Sequence, residues 1–290
     1  VKRLLFTLLS ALLAVFTLGC PGNSGTDGGV DGGEVDPPSV EITVSGTTYV
    51  YPLAAAFLTD AGLPAVGLAG LTLRMEEPLK VALKDPTGIL GSQTLTSAGT
   101  FSFAKVPMDL VNLGLAAGVR DDSDAGTPRV IRSATTLYDV ALQGKKPDTD
   151  QVGQKAWAVP VPFHDKLTAA VTPAKVAAVT ALKNPKTTLV EAGFILGQIV
   201  DSTGAPVANA TLTTSPAALA NQVVYPTADF STTQAATSSN GLFIFIHDGD
   251  QQPVTFSFVV KDKPEYLSRK GGAALDACLL ITVYPGKVAP

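Results

Sequence analysis

The run GFILGQIVDSTGAPVANATLTTSP at Gly193–Pro216, continued by ATSSNGLFIFIHDG at Ala236–Gly249 and PVTFSF at Pro253–Phe258, alternates short apolar segments with tight turns. Ile195–Val200 is apolar and carries β-branched residues, which suits a half-buried strand. Asp201–Pro206 is turn chemistry: the Asp caps its own backbone, Gly204 allows positive φ and Pro206 ends pairing. Val207–Thr213 reads as a second strand, Ser238–Gly241 as a turn, and Leu242–Ile246 as a third, wholly apolar strand. Val254, Phe256 and Phe258 then alternate with Thr255 and Ser257, so one face is buried and the other wet. Short strands joined by polar turns in this density predict a small β-sandwich.

The order of Gly197, Ile199, Asp201, Gly204, Pro206, Val207, Ala210 and Leu212, followed by Thr237, Gly241 and Phe243, resembles the carboxypeptidase regulatory-like (transthyretin-like, CnaB-like) domain family. The resemblance covers the last third of the chain. It implies a β-sandwich that serves as an adhesive, stalk or accessory module, with no shared active site.

A fainter copy lies upstream. Gly62-Leu-Pro64 matches Gly204-Ala-Pro206, and Gly99-Thr-Phe101 matches Gly241-Leu-Phe243, both at an offset of 142 residues. Two anchors at one spacing point to a duplicated module. Strands are expected near Leu71–Arg74, Leu79–Lys84, Gln93–Thr96, Thr100–Ala104 and Leu113–Val119, after a pair at Val40–Val44 and Thr47–Tyr51 split by Ser45-Gly46. Between the copies, Leu167, Val171, Val176, Val179 and Leu182 recur at near-helical spacing. Pro173 divides this stretch into two short helices, and Asn184-Pro185 closes it. The expected fold class is therefore mainly β: two small Ig-like or transthyretin-like sandwich modules, 40–163 and 191–290, joined by a helical linker, 164–190.

At the front, VKRLLFTLLSALLAVFTLGC places Lys2 and Arg3 before an apolar core at Leu4–Leu18, then Gly19 and Cys20. That core is short for a spanning helix. Thr17-Leu18-Gly19-Cys20 resembles a bacterial lipobox, although Thr17 stands where Leu is usual. The resemblance implies a signal peptide at 1–19 and a lipid attached to Cys20. Pro21 after the Cys points to the outer membrane of a Gram-negative cell envelope. Residues 20–39 are Gly-rich and acidic with no apolar periodicity, and read as a flexible tether.

With 46% hydrophobic residues over 290 positions there is core enough for two sandwiches, and a net charge of −4 without a basic run argues against nucleic acid. If Cys20 is acylated, Cys278 is the one remaining cysteine, which leaves no internal disulfide. Its apolar setting reads as an inert buried thiol. His164 and His247 sit in no metal spacing, and no nucleophile elbow or phosphate loop occurs. Asp122-x-Asp124-x-Gly126 lacks the rest of a calcium loop. Trp157 reads as core sooner than as a binding platform. No catalytic, metal or cofactor residue is assigned. The expected function is a non-enzymatic, membrane-anchored envelope lipoprotein with an envelope protein or glycan as partner. The alternative is a polysaccharide- or peptide-processing enzyme, or its substrate-binding subunit, with a site between the modules.

Overall fold

The computed structural model describes residues 40–123 and 126–290; the leader, Cys20 and the tether lie outside the described residues. The first half runs β1 (Glu41–Val50), α1 (Pro52–Asp60), β2 (Thr72–Glu76), α2 (Pro78–Ala82), β3 (Ile89–Thr94), β4 (Thr100–Pro107), β5 (Gly114–Arg120), β6 (Val130–Ile131), β7 (Ser133–Asp139), α3 (Val140–Gln143) and β8 (Gln151–Pro160). Three helices follow: α4 (Val161–Val171), α5 (Pro173–Thr180) and α6 (Leu189–Ala192). The second half contributes β9 (Phe194–Ile199), β10 (Leu212–Ser215), β11 (Val223–Pro226), β12 (Thr233–Gln234), β13 (Leu242–Ile246), β14 (Val254–Val260), β15 (Arg269–Ala273) and β16 (Cys278–Val283). The protein is mainly β, and Ser39–Pro290 form one compact unit.

Both halves repeat one strand order. In the first, β4 pairs antiparallel with β1 and β1 pairs parallel with β8; in the second, β13 pairs antiparallel with β9 and β9 parallel with β16. The antiparallel set β2-β5-β7 likewise matches β10-β14-β15. The repeat extends to single bonds. Gly99 and Gly241 both have φ +68°. The Thr48 amide donates to the Gly99 carbonyl at 2.8 Å, as the Ile199 amide does to that of Gly241 at 2.9 Å. Gly46 lies opposite Phe101, as Gly197 lies opposite Phe243. At Gly197 the glycine is required by packing, since a Cβ would sit 2.0 Å from the Phe243 ring.

The halves are fused as well as repeated. β7 pairs in parallel with β16, so Cys278 faces Ser133 and Leu280 faces Thr135. The result is a nine-stranded sheet in the order β12-β11-β13-β9-β16-β7-β5-β2-β3. The sheet β4-β1-β8-β6 covers one face of its first half, burying Leu73, Met75, Leu115, Ala117 and Val119 against Val44, Phe101 and Ala156. Helices α4–α6 cover that face over the second half, packing Phe163, Leu167, Val176 and Leu189 on Leu242, Ile244, Ile246, Cys278 and Leu280. The three-stranded sheet β10-β14-β15 covers the opposite face there, where Phe243 and Phe245 meet Phe256 and Phe258. Covered on both sides, all five residues of β13 are buried.

Pro173 does separate two helices, and the second opens on Thr172, whose side chain caps it. These helices form a layer of the core in addition to linking the halves. Leu79–Lys84, expected as a strand, begins instead as a helix. Pro78 occupies its first turn, and the Glu77 side chain accepts the Lys80 amide at 2.7 Å, so a capped proline start outweighs the β-branched Val81. β1 is one strand through Ser45-Gly46, with a register shift there; a Cβ at Gly46 would lie 1.9 Å from the Gln154 carbonyl. Val207–Thr213 joins the ladder only at Leu212, because Asn209 takes φ +59° and the Thr237 side chain binds the backbone of both Val207 and Ala210.

Candidate functional site

The groups best suited to chemistry are tied into the fold. His164 is buried, and its Nε2 accepts the Val190 amide at 3.1 Å. Its Nδ1 therefore carries the proton and donates to Asp165 at 2.9 Å. His247 is fully buried; its Nδ1 accepts the Gly249 amide, and Nε2 donates to the Gln252 carbonyl at 3.2 Å. Burial pushes both imidazoles below their ordinary range, with Asp165 and Asp248 opposing that shift. The Cys278 thiol is pushed well above the usual range by complete burial. Asp121 binds the Arg129 guanidinium at 2.8 Å, and Asp122 lies 3.8 Å from Arg74; Asp124 lies outside the described residues. Among the described residues no group of three or more His, Cys, Asp or Glu is placed to hold a metal. Trp157 is half-buried beside Tyr49 and Tyr51, at ring separations of 5.9 and 6.2 Å.

The open feature of the molecule arises from a mismatch of layers. Glu76, Gly118, Ala134 and Thr136 share a face of the nine-stranded sheet with Leu279 and Ile281, by the registers of β2, β5, β7 and β16. The three-stranded sheet covers only the second half of that face and stops at β15. Beyond it lies a cavity of about 560 Å³. Its floor is Ala134, Thr136, Leu279 and Ile281. One wall is α2 with Leu79 and Val81, continued by Leu83, and the other is the strand edge Lys270–Ala273. No residue of α2 is buried, and Leu83 is 51% exposed.

Charge at the groove divides into spent and unspent groups. Glu76, 3% exposed, accepts from Arg120 at 2.8 Å. It lies across Gly118, where a Cβ would come within 2.7 Å of the carboxylate. Burial raises its pKa, while Arg120, Arg132 and Arg74 act in the opposite direction. Glu77 accepts the Lys80 and Leu113 amides, and Asp139 caps α3 through the Leu142 amide. Among the described residues, Lys84, Arg132 and Lys270 have no carboxylate in ion-pair range, and Asp276 has no cation. The groove is apolar, with a positive balance at its rim. A shallower depression at Asp201 and Tyr266 is spent on structure: Asp201 accepts the Thr203 and Ala205 amides, and the Tyr266 hydroxyl donates to the Val200 carbonyl.

Sequence reasoning did not find this groove. The signals were Gly271-Gly272 inside a strand and the apolar run at Pro78–Leu83. Cys20, the one residue assigned a chemical role from sequence, is outside the described residues.

No protein-family model matches the chain, and no curated protein matches it. Among solved structures, the shaft pilin SpaA from Lactobacillus rhamnosus GG aligns with 86% of this chain and 100% of its own, at 12% identity and a TM-score of 0.23. The Streptococcal ancillary pilin aligns with 86% of this chain and 69% of its own, at 9% identity and 0.21. The full-length major pilin RrgB from Streptococcus pneumoniae covers 86% and 48%, at 9% and 0.20. Likeness at this level transfers neither fold nor function.

Proposed function

We propose that this chain is a non-enzymatic envelope lipoprotein, anchored through a lipid on Cys20, whose body is a binding, adhesive or accessory module of duplicated carboxypeptidase regulatory-like sandwiches. The observation that carries the module reading is the contrast inside the body. Both imidazoles and the thiol are buried in structural bonds, while an apolar groove beside a strand edge stands open. The anchor rests on the Lys2-Arg3, apolar core and Gly19-Cys20 series. Several acyl chains on one cysteine hold firmly, since each buried methylene contributes about 0.8 kcal/mol. Pro21 directs the protein to the outer membrane.

The test is metabolic labelling with a fatty-acid probe followed by membrane fractionation. The natural chain should take up label and sediment with outer membrane, and Cys20→Ser should take up none and remain uncleaved. Label on the Cys20→Ser protein would overturn the anchor. The groove lies between the two halves, which keeps the processing-enzyme reading in view. Hydrolysis of envelope polymers by purified protein, abolished by one polar substitution in the groove, would establish that reading and remove ours.

A further inference from the structure

The internal repeat states what the open groove lacks. In the first half, the outer edge of β7 receives β16 as a parallel strand. β15 holds the position of β7 in the second half, yet among the described residues it ends its sheet with β14 as its one strand partner. We propose that the groove receives an extended polypeptide segment of a partner protein, added in parallel to the edge of β15 as β16 is added to β7.

Three features fit that occupant. A strand edge presents unpaired amides and carbonyls, which another backbone satisfies. A strand placed one inter-strand spacing from β15 would lie over the sheet at roughly the 10 Å layer distance of packed sheets; the small Ala134 and Thr136 there leave room for its apolar side chains. The opposite wall, α2 and the Leu83 that follows it, offers Leu79, Val81 and Leu83 without a covering partner among the described residues. The charge balance selects further: among the described residues Lys84, Arg132 and Lys270 stand against Asp139 and Asp276, which leaves a net positive rim. The segment therefore alternates apolar residues and carries at least one carboxylate.

This inference deepens the binding-module reading and rests on it, but not on the anchor. The probe is a nine-residue peptide of alternating threonine and valine with glutamate at its centre, added to the full chain. Binding should slow amide exchange at Lys270–Ala273. Lys270→Glu should weaken it about 10-fold and favour the peptide with lysine at its centre. Ala134→Trp, which fills the floor, should abolish it while the circular dichroism stays unchanged; if that variant does not fold, Lys270→Glu decides alone. Absence of protection in β15, or equal binding by a peptide with proline at alternate positions, would overturn the proposal. So would self-association of the full chain that Ala134→Trp removes, which would assign the groove to a second copy. Glycan binding without peptide binding would refute the strand and leave the binding-module reading standing.

Discussion

At the scale of single residues, the fold depends on a few positions where backbone and side chain leave no slack. Gly99 and Gly241 occupy the same left-handed turn in the two halves, and a Cβ would meet the Thr48 carbonyl at 2.4 Å or the Ile199 carbonyl at 2.5 Å. Gly99→Ala and Gly241→Ala should each lower stability by at least the ~1–3 kcal/mol of a strained backbone position, read as a fall in urea midpoint. Gly62→Ala tests the distinction, because its φ is +66° with nothing within 4 Å of a Cβ; it should lose less than either. The Glu76–Arg120 pair gives a second residue-level test. Removing one partner of a buried pair costs about 3–5 kcal/mol, toward the lower end here because Arg120 keeps some exposure. Arg120→Met should therefore destabilise at neutral pH. Burial already raises the Glu76 pKa above its unfolded value, so the folded variant gains protons on acidification before the unfolded chain does. The deficit should shrink as pH falls towards the unfolded carboxylate value of about 4.3. A deficit that does not depend on pH would mean that Glu76 is not the group left unpaired.

At the scale of elements, His164 shows how the helical layer is fastened. It sits on α4, bonds Thr168 one turn on, and accepts the Val190 amide at the start of α6. Thr168 also accepts the Leu189 amide. Because burial depresses the folded pKa of His164, the unfolded chain binds the extra proton as pH drops below about 6.5. Stability is fully present above that value and is lost as pH falls towards the folded pKa. His164→Gln should be less stable at pH 7, by about the 1–3 kcal/mol of a buried amide left unsatisfied, yet should lose less than the natural chain between pH 7 and 5. Denaturant midpoints at the two pH values decide this; equal pH slopes would exclude His164 as a source of the dependence, leaving His247. The helical layer was legible in the sequence because Pro173 and the Leu167, Val171, Val176 spacing are local signals. The β9 and β13 strands and the Asp201 turn were legible for the same reason. α2 was misread because its apolar run has no clear period and only Glu77-Pro78 marks its start. The groove was not legible as a groove: Gly271-Gly272 and the apolar run at Pro78–Leu83 mark its walls, but it is defined by where a second layer stops, which no single segment encodes.

At the scale of the whole molecule, the parallel pairing of β7 with β16 changes what the repeated strand order means. Two sandwiches on a linker would unfold separately. Here the second sheet of one half continues into the first sheet of the other, and β16 fills the edge that β7 would otherwise expose. Parallel pairing between distant segments leaves no local trace, so the repeat was visible in the sequence and the fusion was not. The fused sheet predicts one cooperative transition. Leu115 is fully buried in the first core and Phe243 is 1% exposed in the second. Leu115→Ala should cost about 2–5 kcal/mol and Phe243→Ala about 3–5 kcal/mol. In a domain of this size each kcal/mol lowers the midpoint by about 2–4 °C. Calorimetry should show either substitution moving the single transition as a whole, with no second peak left at the original temperature. If Phe243→Ala splits the trace and leaves the first half melting where it did before, the β7–β16 ladder does not couple the halves. The free edge of β15 would then have no internal precedent for receiving a strand. The thermal experiment on the core thus also bears on the groove: a junction strong enough to merge two sandwiches into one unit is the same type of junction that the groove leaves open.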